Sequence, residues 1–144
     1  MAIEYIFDLD LNCLLIRLLD EVTLDQFAVF LASVRGAPGF GPGHVRLTDL
    51  RQATKLPQTS DIYTVAHLMD ELDRSFPPAR TSLVAHSEMI STTARIFRAL
   101  REPDEGVIGI HSDIFEALKW LNLQLSDDPF SAGTWDTTRS RRFE

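Results

Sequence analysis

The sequence is poor in cysteine. A single one, Cys13, among 144 residues rules out a disulfide within the chain and fits a reducing, cytoplasmic setting. It lies inside an apolar strand pattern and reads as a small core residue rather than a nucleophile. Basic charge is also scarce: 14 Lys and Arg face 21 Asp and Glu, a formal net charge of −7. Nucleic-acid binding needs a basic face that displaces counterions. The only basic cluster, Arg139-Ser140-Arg141-Arg142, stands near the C-terminus among acids and reads as a solvated end. No apolar run reaches the length of a membrane span. The opening MAIEYIFDLD carries acids where a secretory leader carries basic residues.

Catalytic signatures are missing as well. There is no GxSxG at a strand-to-helix turn, as a serine hydrolase on an α/β sheet usually has. The glycines of RGAPGFGPG lack the lysine of a phosphate-binding loop and do not introduce a helix. No dinucleotide fingerprint occurs. Asp8 and Asp10 imitate the acid pair of a phosphoacceptor receiver, but VIGIHSD lacks the late lysine. No HxxxH, CxxC or HExxH spacing supports a metal. Neither a metal nor a cofactor is expected, and no solenoid-length repeat appears.

What is present is one domain's worth of patterned sequence. Ile3, Tyr5 and Phe7 alternate with Glu4 and Asp8, which predicts a half-buried strand over 3–9. Asp10 to Asn12 suit a tight turn, and a second strand over 13–19 completes a hairpin. Thr23 stands three residues before Gln26, the capping-box spacing of a helix start. Leu24, Phe27, Ala28, Leu31 and Val34 then recur at helical spacing, until RGAPGFGPG stops the helix. In HVRLTDLRQATKLPQTSD (44–61), Val45, Leu47 and Leu50 mark a third strand whose apolar run ends at Asp49-Leu50, followed by a polar loop. Ile62, Val65, Ala66, Met69, Leu72 and Phe76 predict an amphipathic helix, closed by Pro77-Pro78.

A short buried strand over 81–85 follows. Ser87 is placed to cap a helix over 88–101 that turns Ile90, Ala94, Phe97 and Leu100 inward. EPDEG reads as a turn and VIGIH as a strand. Ser112 or Asp113 starts a last helix with Ile114, Ala117, Leu118, Leu121 and Leu125 inward. Residues 126–144 show no sustained period and read as an irregular tail, with Phe130 and Trp135 available to dock on the domain or on a neighbour. The expectation is a single α/β domain over 1–125, in the order ββαβαβαβα. Its central sheet is mostly parallel, with an antiparallel first strand and packed helices.

Ligands of open α/β sheets bind beyond the carboxyl ends of the strands. Those ends supply Asp49 and Arg51, His86 and Ser87, and His111 and Ser112, the candidate ligand or partner surface. His86, His111 and Asp49 are the only group from which acid–base chemistry is conceivable, while capping accounts for Ser87 and Ser112. His44 and His67 have no partner by spacing. No catalytic constellation emerges, and a non-enzymatic protein is expected.

VRLTDLRQAT resembles the third strand of a STAS domain, the fold of bacterial anti-sigma-factor antagonists. The stretch TSLVAHSEMISTTARIFRALREPDEGVIGIHSDIFEALKWLN is similar to the STAS/SEC14-like (SpoIIAA-like) family of small bacterial proteins. Ala94, Arg95, Phe97, Ala99 and Leu100 match one helical motif. Asp113, Glu116, Ala117, Leu118, Trp120 and Leu121 match the closing one. The resemblance spans 1–125 and implies a STAS fold of successive βα units. It also implies two kinds of function.

One is a regulatory module that binds a protein partner and is switched by phosphorylation at the start of the helix after the third strand. The usual Asp-Ser-Ser-Gly is absent there, and Thr59 and Ser60 occupy the place. Either is also an expected N-cap. A helix start suits a phosphate, but Asp61 beside it repels one. The other function is a carrier that holds a small apolar ligand between helices and sheet. The interaction module is the preferred expectation, with a homodimer contact through the first strand's edge and Trp120, Phe130 and Trp135.

Overall fold

A computed structural model describes residues 2–36, 41–101, 107–131, 135 and 141–143. The turn expected over 102–106, part of the breaker stretch (37–40), and Arg139-Ser140 of the basic cluster lie outside them.

β1 (Ile3–Asp8) and β2 (Cys13–Glu21) form the expected hairpin. Asp8 Oδ1 accepts from the Leu11 amide at 3.2 Å, and Asn12 takes left-handed backbone at φ 49°, which asparagine tolerates. The capping box forms reciprocally. The Thr23 amide donates to Gln26 Oε1 at 2.8 Å, and the Gln26 amide donates to Thr23 Oγ1 at 3.3 Å. It launches α1 (Leu24–Gly36), which buries Phe30, Leu31 and Val34. Then come β3 (Val45–Lys55), α2 (Thr59–Ser75), β4 (Arg80–Val84), α3 (Glu88–Arg101), β5 (Ile108–His111), α4 (Ile114–Trp120) and β6 (Arg141–Phe143). Ser87 caps α3, its Oγ accepting from the Ile90 amide at 3.1 Å. Asp113 rather than Ser112 caps α4, accepting from the Phe115 amide at 2.8 Å. That helix ends with Asn122 at φ 62°. Leu123 N–H donates to the Leu118 carbonyl and Asn122 N–H to that of Lys119, which satisfies the last-turn carbonyls.

The sheet order is β5-β4-β3-β2-β1-β6. β2 to β5 run parallel, and β1 is antiparallel to both its neighbours. This is the mostly parallel α/β sheet, with an antiparallel first strand, that the element pattern predicts. α1, α2 and α3 cover one face, where Ile16, Leu18 and Leu83 meet Phe30, Leu72, Ile90 and Ala94. On the other face, Ile6, Leu15, Leu47 and Val84 pack against Ile114, Ala117, Leu118 and Leu121 of α4 and its C-terminal end. Burial on both faces explains why the inner strands read as nearly continuous apolar runs. Cys13 belongs to this second core, and burial pushes its thiol up to about 12, so it is a packing residue there. Among the described residues no helix is long and apolar enough to cross a membrane.

Three expectations change. First, the polar stretch Arg51–Lys55 is strand, not loop. Gln52, Ala53 and Lys55 pair with Leu19, Asp20 and Glu21, whereas β4 ends at Val84 opposite Asp49. Beyond that point only two strands continue, so pairing persists after the apolar pattern has stopped. Second, neither Thr59 nor Ser60 is the cap of α2. Gln58 occupies that position in extended conformation without a side-chain capping bond, and Thr59 and Ser60 are exposed residues of the first turn.

Third, 126–144 is not irregular throughout. Phe130 and Trp135 are buried in the second core, and β6 pairs with β1 from Ile3 to Tyr5. A strand edge with free amides and carbonyls is completed by an extended segment, but three residues are too few to show a period. The β1 edge is therefore covered over those residues. The three aromatics assigned to a homodimer contact are engaged within the chain. Phe130 stacks on Trp135 with centroids 5.6 Å apart, and Trp120 lies under Arg80 and beside His111.

Candidate functional site

Of the strand-end residues singled out in the sequence, Asp49, Arg51 and His86 come together. They line an open hollow of about 610 Å³ on the α4 side, with Arg17, Gln52, Asp128, Phe130, Ser131 and Trp135. Its charges are matched internally. Arg51 donates through Nε to Asp49 Oδ1 at 2.8 Å and through Nη2 to Asp49 Oδ2 at 3.0 Å, and Nη2 also reaches Asp128 Oδ2 at 2.9 Å. These bonds to two carboxylates raise the guanidinium pKa still further, so Arg51 is a permanent cation tying the segment after α4 to β3. Arg17 bonds Glu4 Oε1 at 2.7 Å and lies over Trp135 at 4.4 Å. Among the described residues no hydrogen bond joins His86 to Asp49, and no cluster of three or more His, Cys, Asp or Glu side chains is placed to hold a metal ion.

His111, Ser87 and Ser112 stand apart from the hollow. His111 Nδ1 meets Ser82 Oγ at 2.7 Å, and its ring rests against Trp120. Burial, partly opposed by Glu116, lowers its pKa. A Cβ on Gly109 would come within 2.8 Å of that ring and 3.1 Å of Trp120, so the histidine is packed into the face under α4. Ser87 is occupied by its cap. The place of Thr59 and Ser60 is more informative: they follow Leu56 and Pro57 and precede Ile62, all three of which line a second cavity.

That cavity, about 190 Å³, lies between the sheet and the three helices of the other face. Ile16, Leu18, Leu50 and Leu83 form its floor, and Phe30, Val65, Met69 and Phe97 come from α1, α2 and α3. At one end it meets a charged group that the sequence reading passed over. Arg46, only 1 % exposed, bonds Asp73 through Nη1, the Phe76 carbonyl through Nη2 at 2.9 Å, and His44 Nε2 through Nε at 3.1 Å. Asp73 also accepts from Arg101 Nη2, which reaches Asp70 as well at 3.2 Å. Val45, Leu47 and Leu50 mark the strand in the sequence, and Arg46 between them carries no motif. The available signal was its position inside a parallel strand buried on both faces, where an arginine requires a buried acid. His67, without a partner by spacing in the sequence reading, pairs at i,i+4 with Glu71 at 3.3 Å.

His44 gives this polar end a pH dependence. Burial first, then Arg46, lowers its pKa from 6.5 to about 4, with Gly41 and Asp73 pulling the other way. Its Nε2 accepts from Arg46, so the folded state holds it neutral. The unfolded chain takes up this proton as pH falls through 6.5 and the folded chain only near 4. The contribution of His44 to stability is therefore complete above 6.5 and is lost as pH falls towards 4. Urea midpoints should drop more steeply across that interval for the parent chain than for His44→Gln. Parallel profiles would contradict the assignment.

No protein-family model matches the chain, and no curated protein matches it. Among solved structures it is similar to an uncharacterised protein of the DUF3478 family with a SpoIIAA-like fold, from Shewanella loihica PV-4. The identity is 20% and the TM-score 0.48, over 75% of this chain and 82% of that one.

Proposed function

We propose that this chain is a non-enzymatic binding module that holds a small apolar ligand between its helices and its sheet. The observation that carries the reading is the cavity of about 190 Å³ walled by apolar side chains from the sheet and all three helices on that face. Apolar cavities of about 150 Å³ stay dry and take up benzene. Drug-sized ligands need roughly 300 Å³ or more, so the occupant is a short chain or a single ring. In the hollow on the other face, Arg51 is locked between Asp49 and Asp128, an arrangement that supports a structural rather than a catalytic role.

A second reading, a regulatory module working by protein contact, is supported by Leu56, Pro57 and Ile62. They belong to the cavity wall while Thr59 and Ser60 between them are exposed. A partner binding this corner would sense whether the cavity is filled.

Native mass spectrometry of the protein from its own source tests both. The carrier reading expects one small adduct per chain, lost in Ala94→Phe, whose ring enters the space beside the buried Ala94. Ala94→Leu, a milder filling, should weaken retention without removing it. A dimer with no added mass would favour the interaction module instead.

A further inference from the structure

The cavity is not uniformly apolar, and one donor at its polar end is unmet. Its lining includes two guanidiniums, Arg46 and Arg101, and one carboxylate, Asp73, which both cations share. Arg46 is well supplied, with His44, Asp73 and the Phe76 carbonyl each accepting from a different nitrogen. Arg101 is not. Its bonds to Asp73 and Asp70 both leave from Nη2, and its buried Nε has no hydrogen-bond partner among the described residues. A buried donor left unmet is costly, and a guanidinium cannot shed its proton to escape the cost. Phe97, another lining residue, lies against the Arg101 guanidinium at 5.7 Å and helps to fix it at the cavity end.

The geometry points to a ligand that is apolar along its length and carries a carboxylate at one end, its chain in the cavity and its head group at Arg101. This deepens the carrier reading and rests on it. A carboxylate supplies the acceptor that Arg101 Nε lacks, and the planar guanidinium suits it better than an ammonium would. A hydrocarbon of the same length fills the apolar part and leaves that donor unmet, and an alcohol meets it with a neutral oxygen, a weaker acceptor than a carboxylate. Arg101 is thereby the residue that selects among apolar ligands, and the surrounding walls set their size.

Calorimetric titration of the full chain with octanoate and with 1-octanol at neutral pH separates the two levels. Octanoate is expected to bind about ten-fold or more tighter than 1-octanol, a difference of roughly 1.4 kcal/mol, although water solvates the anion better. Arg101→Met should abolish that preference while 1-octanol still binds, and Arg101→Lys should keep part of it. Circular dichroism confirms that each variant is folded. Equal affinity for the two probes in the parent chain would overturn the carboxylate assignment and leave the apolar carrier standing. Failure of both probes to bind would overturn the carrier reading, and this inference with it.

Discussion

Asp73→Ala is expected to lower the free energy of unfolding by about 3–5 kcal/mol, the usual consequence of removing one partner from a buried ion pair. Asp73 accepts from Arg46, 1 % exposed, and from Arg101, 11 % exposed. Without it, the two guanidiniums lose the carboxylate they share, and Arg101 keeps Asp70. Arg46 is almost fully buried and its Nη2 is already committed to the Phe76 carbonyl, so solvent does little to screen the charge left behind. Repulsion from Arg101 already joins burial in lowering the Arg46 pKa, and Asp73 is what opposes them. Asp73→Asn should cost less, since an amide oxygen still accepts one bond. Replacing Arg46 and Asp73 together by Met and Leu should recover much of the loss, because well-packed apolar residues often substitute for a buried pair. Urea denaturation measures all three. A loss below about 1 kcal/mol for Asp73→Ala would place the pair with solvent-screened surface bridges and remove the electrostatic account of the cavity end.

Trp135→Ala carries an expected loss of similar size, about 3–5 kcal/mol. Trp135 is 6 % exposed, stacks on Phe130 and supports Arg17 at 4.4 Å, which in turn holds the buried Glu4. Its removal leaves a cavity and opens the Arg17–Glu4 pair to water. The segment after α4 is thus part of the second core, anchored a second time by Asp128 on Arg51. Chemical denaturation in which Trp135→Ala costs less than about 1 kcal/mol would show that this segment packs without contributing.

The regular elements were legible because each carries its own local signal. The Thr23–Gln26 box, the Ser87 cap and the inward stripe of α2 were read at the right residues, and so was the parallel direction of β2 to β5; Ile114, Ala117 and Leu118 face inward on α4, but that helix ends at Trp120, short of Leu125. Failures arose where structure depends on a distant partner. β3 runs past its apolar stretch because β2 continues beside it, and no pattern within Arg51–Lys55 reveals that. β6 exists because β1 has an edge to complete. In α1, Phe30 is buried while Ala28 is exposed, since the position of α1 over the sheet outweighs the apparent stripe.

The candidate site was less legible still. Asp49, Arg51 and His86 were found because strand ends are a known place to look, and they meet in a hollow whose charges are matched by arginines. Arg46, Asp73 and Arg101 were not found. They lie 27 and 28 positions apart on three different elements, and only the packing of α2 and α3 over β3 brings them together. An empty volume between layers leaves no trace in a sequence, because the residues that line it are the same types that would fill it.

The function of the protein turns on whether that volume receives an apolar molecule. Methyl-resolved NMR during addition of 1-octanol tests it most directly, since the two cores report separately. Methyl signals of Ile16, Leu50, Val65 and Met69, which line the cavity, should shift in a saturable manner. Those of Leu15, Leu47 and Leu118 in the opposite core should stay in place. Shifts confined to the opposite core, or spread over both without saturation, would contradict the claim that this protein holds its ligand between helices and sheet.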